Sequence, residues 1–105
     1  MEFANEGGQT FIVTIKPGQT RGGHYHTRKS EHFTVVSGDA ILWVKDRMRE
    51  CPHPYVLHGD YWHIVVVPPL HAHSIQNNGK TDAIVVVWSS EVFSADDPDT
   101  YPTEI

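Results

Sequence analysis

The stretch Gly18–Gly38, GQTRGGHYHTRKSEHFTVVSG, sets His24 and His26 one residue apart and places Glu31 after a four-residue gap. Alternate side chains of a β-strand share a face, so His24 and His26 should look one way and Tyr25 the other. Glu31 has the wrong parity to join them on an unbroken strand. Thr27–Ser30 must therefore bend or bulge if the carboxylate is to return to the histidine side. Two imidazoles and a carboxylate brought together in this way are three ligands that lack a fourth.

The fourth comes from a second stretch, Pro68-Pro69-Leu70-His71-Ala72-His73-Ser74-Ile75-Gln76-Asn77. Two prolines set a rigid turn, and the strand after it should carry His73, Ile75 and Asn77 on one face. A lone inward histidine is more often a satisfied core residue than a ligand. Four candidate ligands in two clusters, His24, His26, Glu31 and His73, point instead to a divalent metal site. Imidazole plus carboxylate suits Zn, Fe, Ni and Mn alike.

Around these stretches the chain reads as short strands punctuated by Gly and Pro. Residues 1–9 read as an edge strand or arm with a turn at Gly7-Gly8, and Thr10–Lys16 alternates as a strand ended by Pro17-Gly18. A strand is predicted from His32 to Ser37, then a Gly38-Asp39 hairpin turn into Ala40–Lys45. Asp46–Pro54 reads as an exposed loop, Tyr55–Leu57 as extended, and Gly59-Asp60 as another turn. Ile64–Val67 and Ile84–Trp88 are apolar at every position. Their outer faces need a cover, either a second subunit or the C-terminal segment folded back, and a homodimer is expected. The pattern is all-β, a small β-barrel or jelly roll formed by residues 1–105 as one domain.

Composition narrows the function classes. The net charge is −5, but residues 1–90 carry eight acids against eight bases. The imbalance lies in the last fifteen residues, with Glu91, Asp96, Asp97, Asp99 and Glu104 and no base. Such a tail argues against a nucleic-acid partner, which needs a basic surface. Cys51 is the single cysteine, so no internal disulfide is available and a reducing compartment is compatible. The N-terminus lacks the pattern of a secretory signal, and the longest apolar run, Ile64–Leu70, is too short to span a bilayer. A cytoplasmic location is expected. Arg21, Arg28 and Lys29 bracket the His-x-His strand and could draw a substrate phosphate to a metal pocket; the plain alternative is three solvated charges.

The two stretches resemble the cupins. Gly18, His24, His26, Glu31 and Gly38 fit G-x5-H-x-H-x4-E-x6-G, and Pro68, His73 and Asn77 fit P-x-G-x2-H-x3-N, with Leu70 where glycine is usual. Leucine there should alter the turn but not the ligand set. The closing WSSEVFSADDPDTY, with Trp88, Glu91, Phe93, Pro98, Asp99, Thr100 and Tyr101, is similar to one subfamily. That subfamily is the C-terminal cupin domain of bifunctional capsular-polysaccharide enzymes acting on UDP-linked 2-acetamido-2,6-dideoxy sugars. The resemblance implies a cupin-type barrel (a double-stranded β-helix) and a metal, commonly zinc. It also implies C3 epimerisation of a 4-keto sugar, with a short-chain dehydrogenase reductase as partner. The chain has no G-x-G-x2-G, so the reductase activity itself is not expected here.

Epimerisation beside a ketone needs a base, an acid and a stabilised enolate. His71, on the turn before His73, and His63, whose parity goes with Val65 and Val67, are the candidate bases. Tyr55 and Tyr61 are weaker candidate acids. Tyr25 should be packing, Asn77 should hydrogen-bond backbone, and His32 should face outward. Trp43, Trp62 and Trp88 read as core. Cys51 has no activating neighbour and reads as inert. Two alternatives stay open. Four protein ligands complete a tetrahedron typical of structural zinc, which would make the chain a non-catalytic sugar-binding or dimerisation module. An iron-dependent dioxygenase would use a similar ligand set.

Overall fold

The computed structural model describes residues 2–5, 7–46 and 48–105, so Met1 and Glu6 of the expected N-terminal arm and Arg47 of the expected loop lie outside the described residues. Among the described residues, ten strands form two antiparallel sheets. The first sheet runs β1 (Glu2–Asn5), β2 (Gly8–Ile15), β9 (Ala83–Ser89), β4 (Glu31–Ser37), β7 (Val65–Val67). The second runs β10 (Tyr101–Pro102), β3 (Thr20–Tyr25), β8 (His71–Gln76), β5 (Asp39–Asp46), β6 (His53–His58). No helix is present among the described residues. The fold is all-β and cupin-type, as expected.

The first sheet shows how an unbroken apolar run still obeys a period of two. Along β9, Ala83, Val85, Val87 and Ser89 are buried while Ile84, Val86 and Trp88 are half-buried on the other face. Opposite them, Phe11, Val13 and Ile15 of β2 and Phe33 and Val35 of β4 complete the inner wall. Of the two expected covers for the outer face, the C-terminal segment is not one. Its β10 pairs with β3 at the edge of the second sheet, Tyr101 opposite Tyr25, leaving Ile12 and Val66 exposed.

Three other expectations change. Gly38 does not turn a hairpin, because β4 and β5 belong to different sheets; it is a corner between layers. The exposed loop ends earlier than expected, with His53 and Pro54 already in β6, an edge strand that tolerates a residue without an N–H. None of the three tryptophans is core. Trp62 is exposed and donates Nε1–H to the Gly59 carbonyl, while Trp43 and Trp88 are half-buried. The barrel is lined by Val, Ile, Leu, Ala and Phe, which leaves indoles only outer positions.

A bulge in β3 aims the site. Arg21 pairs with Ile75, Gly22 with Ser74, and then the register shifts so that His24 pairs with His73. Ile75 and His73 both face inward, so Arg21 and His24, three positions apart, come to the same face. The extra residue sits at Gly22-Gly23, with φ of 105° and 81°. A Cβ on Gly22 would lie 2.9 Å from the His73 carbonyl oxygen and from Ser74 Cα. At Gly18, φ is 80° but nothing lies within 4 Å. Gly18→Ala is therefore expected to cost about 1 kcal/mol, the backbone term alone, and Gly22→Ala about 3 kcal/mol, with the clash added. Urea unfolding of both variants checks this; equal losses would show that Gly22 is needed only for its dihedral angle.

Candidate metal centre

Four side chains from three parts of the chain converge at one end of the barrel. His24 of β3 and His73 of β8 are cross-strand partners in the second sheet, and Glu31 opens β4 in the first. His26 lies just past the end of β3 and is buried, so it joins the cluster from a bend and not, as parity alone suggested, from the strand itself. The bend expected at residues 27–30 is present. One donor atom from each of the four residues lies within 4.8 Å of the others.

Hydrogen bonds fix which nitrogen each ring presents. His26 Nδ1 is 2.7 Å from the Asp99 carbonyl oxygen and His73 Nδ1 is 3.1 Å from that of His71. A carbonyl only accepts, so both Nδ1 atoms carry hydrogen and both Nε2 atoms turn to Glu31. His26 Nε2 sits 2.7 Å from Glu31 Oε1. His73 Nε2 is 3.0 Å from the same oxygen but off the direction a hydrogen bond needs, and is buried without a partner. That orphaned nitrogen, and a carboxylate oxygen approached by two imidazoles, fit a bound cation. The donor set suits zinc, nickel, iron or manganese equally.

The electrostatics agree. Burial lowers the His24 pKa to about 4, helped by His73 and His26, so the ring is neutral near pH 7. Burial would lower His26 too, but its bonds to Glu31 and to the Asp99 carbonyl outweigh this and raise it. Burial would raise Glu31, yet the His26 and His73 rings bring it down to about 2. A cavity of about 270 Å³ opens beside the cluster. Phe11, Val13, Phe33, Ile75, Val85 and Val87 form its apolar walls, and Arg21 joins His24, Glu31 and His73 in its lining.

The other expected site residues lie elsewhere. Arg28 is turned to the tail, 3.2 Å from Glu91 and 3.1 Å from Asp97, and Lys29 is buried with Nζ 5.6 Å from the Phe93 ring centroid. Of the three candidate phosphate ligands, only Arg21 lines the cavity. His71 is outside the lining; its Nδ1–H donates to Pro69, and it bears on the cluster through its backbone carbonyl. His63 is exposed, its ring 4.3 Å from that of Tyr61, because β7 starts only at Val65 and strand parity does not reach back to it. Tyr25 stacks on Tyr101 at 5.4 Å, Asn77 donates to the Ile15 and Thr81 carbonyls, and His32 faces outward against Trp88, all as expected.

Sequence reading missed Asp99. An acid in an acid-rich tail reads as solvated, but this one is buried, 1% exposed. Its carboxylate accepts from the backbone N–H groups of Thr27, Arg28 and Lys29 at 3.0, 2.8 and 3.2 Å, and from the Thr27 hydroxyl. Burial would raise its pKa; these donors outweigh burial and hold it well below the ordinary carboxylate range.

Comparison with known proteins gives the same architecture. The family described as polysaccharide biosynthesis C-terminal domain matches residues 1–101. The chain is 36% identical over 100 residues to the UDP-2-acetamido-2,6-beta-L-arabino-hexul-4-ose reductase of Pseudomonas aeruginosa, covering 95% of this chain and 27% of that protein. It superposes with a TM-score of 0.90 on the capsular polysaccharide assembling protein CapF of Staphylococcus aureus, at 36% identity, over 93% of this chain and 29% of that one. The chain thus spans less than a third of either relative. A dTDP-4-dehydrorhamnose 3,5-epimerase from Bacillus anthracis shares the fold, with a TM-score of 0.73 at 21% identity over 87% of this chain and 55% of that one.

The turn before β8 departs from expectation. Leu70 does not alter it: the residue takes the left-handed conformation itself, φ 68°, and its N–H donates to the His26 carbonyl at 2.7 Å. Leucine is strained there by roughly 1–2 kcal/mol. Leu70→Gly should relieve that strain, less part of the gain lost to a freer unfolded chain, for a net stabilisation of about 0.5–1 kcal/mol. Denaturant unfolding checks it; a loss of stability would mean that the leucine side chain packs to advantage despite its exposure.

Proposed function

We propose that this chain, which belongs to the polysaccharide biosynthesis C-terminal domain family, is a metal-binding cupin that epimerises or isomerises a UDP-linked 4-keto-deoxy sugar at C3. The convergence of His24, His26, Glu31 and His73 beside an apolar cavity is the observation that carries this reading. A divalent ion, zinc first among the candidates, would supply Lewis-acid polarisation of a keto oxygen. The cavity, at about 270 Å³, lies at the small end of ligand pockets, and one sugar ring would sit in it with the nucleotide outside. Arg21 would hold a substrate phosphate at the lining, and the Phe and Val walls would keep water from the ring carbons. Besides Arg21, the titratable side chains of the lining are the ligand residues themselves. His71 and His63, the candidate bases, would have to act from outside it.

The relative from Pseudomonas aeruginosa carries the name of a reductase and is much longer than this chain, which supports association with a short-chain dehydrogenase reductase. A cytoplasmic homodimer completes the proposal. Ile12 and Val66, exposed on the outer face of the first sheet, are the apolar surface a second copy would cover. Sedimentation of the wild type is expected to give a dimer and Ile12→Lys a monomer; a monomeric wild type ends that part of the reading.

The chemistry is tested by deuterium incorporation at C3 of UDP-linked 4-keto-2-acetamido-2,6-dideoxyhexose in D₂O, with metal content measured on the same samples. Wild type should exchange; His73→Ala should lose both the metal and the exchange. His71→Ala and His63→Ala then separate an outside base from proton transfer by a ligand residue. A fully metallated wild type without exchange would favour the second reading, a non-catalytic sugar-binding or dimerisation module, which the four-donor set and the lack of a separate base in the cavity also support.

Metal affinity should depend on pH in a defined sense. The raised His26 pKa means that a proton held between His26 and Glu31 competes with the metal. Affinity is expected to be full above that pKa and to fall as pH drops through it, with proton release on binding. Calorimetry in buffers of different ionisation enthalpy reads the release directly; no release would mean that His26 already binds as the neutral ring.

A further inference from the structure

We propose that Asp99 is the positioning residue of the site: it locks the loop between two metal ligands and presets the tautomer of His26. The proposal rests on the metal-site reading. The loop 27–30 leaves the sheet, so its four backbone N–H groups need partners from elsewhere. Three find them in the C-terminal tail and the fourth at Ser90, just before it. Thr27, Arg28 and Lys29 donate to the Asp99 carboxylate, and Ser30 donates to Ser90 Oγ at 2.9 Å. The same Asp99 accepts, on its backbone carbonyl, the Nδ1–H of His26 at 2.7 Å.

One residue thus holds the main chain beyond His26 and the ring of His26 at once. A second holds its near side, since Leu70 N–H bonds the His26 carbonyl. Asp99, φ 49°, and Leu70, φ 68°, are the non-glycine residues with positive φ among the described residues. Both unfavourable backbone conformations grip His26, as strain held at a functional site would. His24, by contrast, makes no hydrogen bond from either ring nitrogen to any of the described residues. His73 is held at its ring by the His71 carbonyl, but His26 is the ligand held at ring and main chain alike.

Three variants of the full chain test this, with zinc as probe in competition with a chromogenic chelator. Asp99→Asn and Asp99→Ala should bind zinc at least about tenfold more weakly, the usual effect of removing an outer-shell partner. Leu57→Ala, a buried truncation in β6 remote from the loop, should stay within about twofold. The readout that a merely structural role would not move is the His26 ring itself. In the metal-free protein, Nδ1–H to the Asp99 carbonyl competes with Nε2–H to Glu31. By ¹⁵N NMR at roughly pH 9, above the ordinary histidine range, wild type should hold the larger Nδ1-protonated share and Asp99→Asn a smaller one, its carbonyl no longer held in place by the loop. Unchanged zinc affinity and tautomer in Asp99→Asn would overturn the proposal, as would an equal loss in Leu57→Ala. If the Asp99 variants do not fold, Thr27→Ala, which removes a single donor, should show the same changes on a smaller scale, and no change in it counts against Asp99. A wild type that binds no zinc would sink the metal reading, while the tautomer comparison still decides what Asp99 does.

Discussion

Four backbone N–H groups, those of residues 27–30, constrain the whole arrangement. A histidine pair and a glutamate at this spacing can share a site only if the chain between them leaves the strand, and a chain that leaves a strand loses its ladder partners. Burying those groups unpaired would cost on the order of 1–3 kcal/mol each. The carboxylate of Asp99 answers three of them and Ser90 the fourth. The tail is held in turn: Ser90 N–H returns to the Ser30 carbonyl, Thr103 N–H bonds Gly23, and β10 lies along β3. The last fifteen residues are therefore part of the site's scaffold, although none of them lines the cavity.

What the sequence made legible was local. The period of two in β2, the turn at Pro17-Gly18, the two-cluster grouping of three histidines and a glutamate, and the backbone role of Asn77 all depend on neighbours a few residues apart. Even the need for a bend at 27–30 followed from parity alone. What stayed hidden depends on partners far along the chain. Nothing in the residue Asp99 tells whether it faces water or a nest of N–H groups some seventy positions away. The corner at Gly38 looked like a hairpin because a glycine permits both; which sheet the next strand joins is decided by packing. The bulge at Gly22-Gly23 was invisible to strict alternation, and it is what turns Arg21 inward with His24.

The site also leaves one inward-facing lone pair without a partner, which a bound cation would satisfy. Glu31 is ionised well below neutral pH, and its Oε1 is approached by Nε2 of both His26 and His73, each of which has its hydrogen on the far nitrogen. Neutral rings would turn lone pairs toward an anion. A proton on His26 answers one of these approaches, which is why its pKa is raised; His73 Nε2 is left without a partner. One proton cannot satisfy three convergent acceptors, whereas a divalent ion can accept electron pairs from all of them at once. The carbonyls of Asp99 and His71, by holding hydrogen on the outer nitrogens, keep the inner lone pairs free. The cluster is thus built from outside inward: backbone acceptors set the tautomers, the tautomers set the direction of the lone pairs, and the lone pairs define where positive charge belongs.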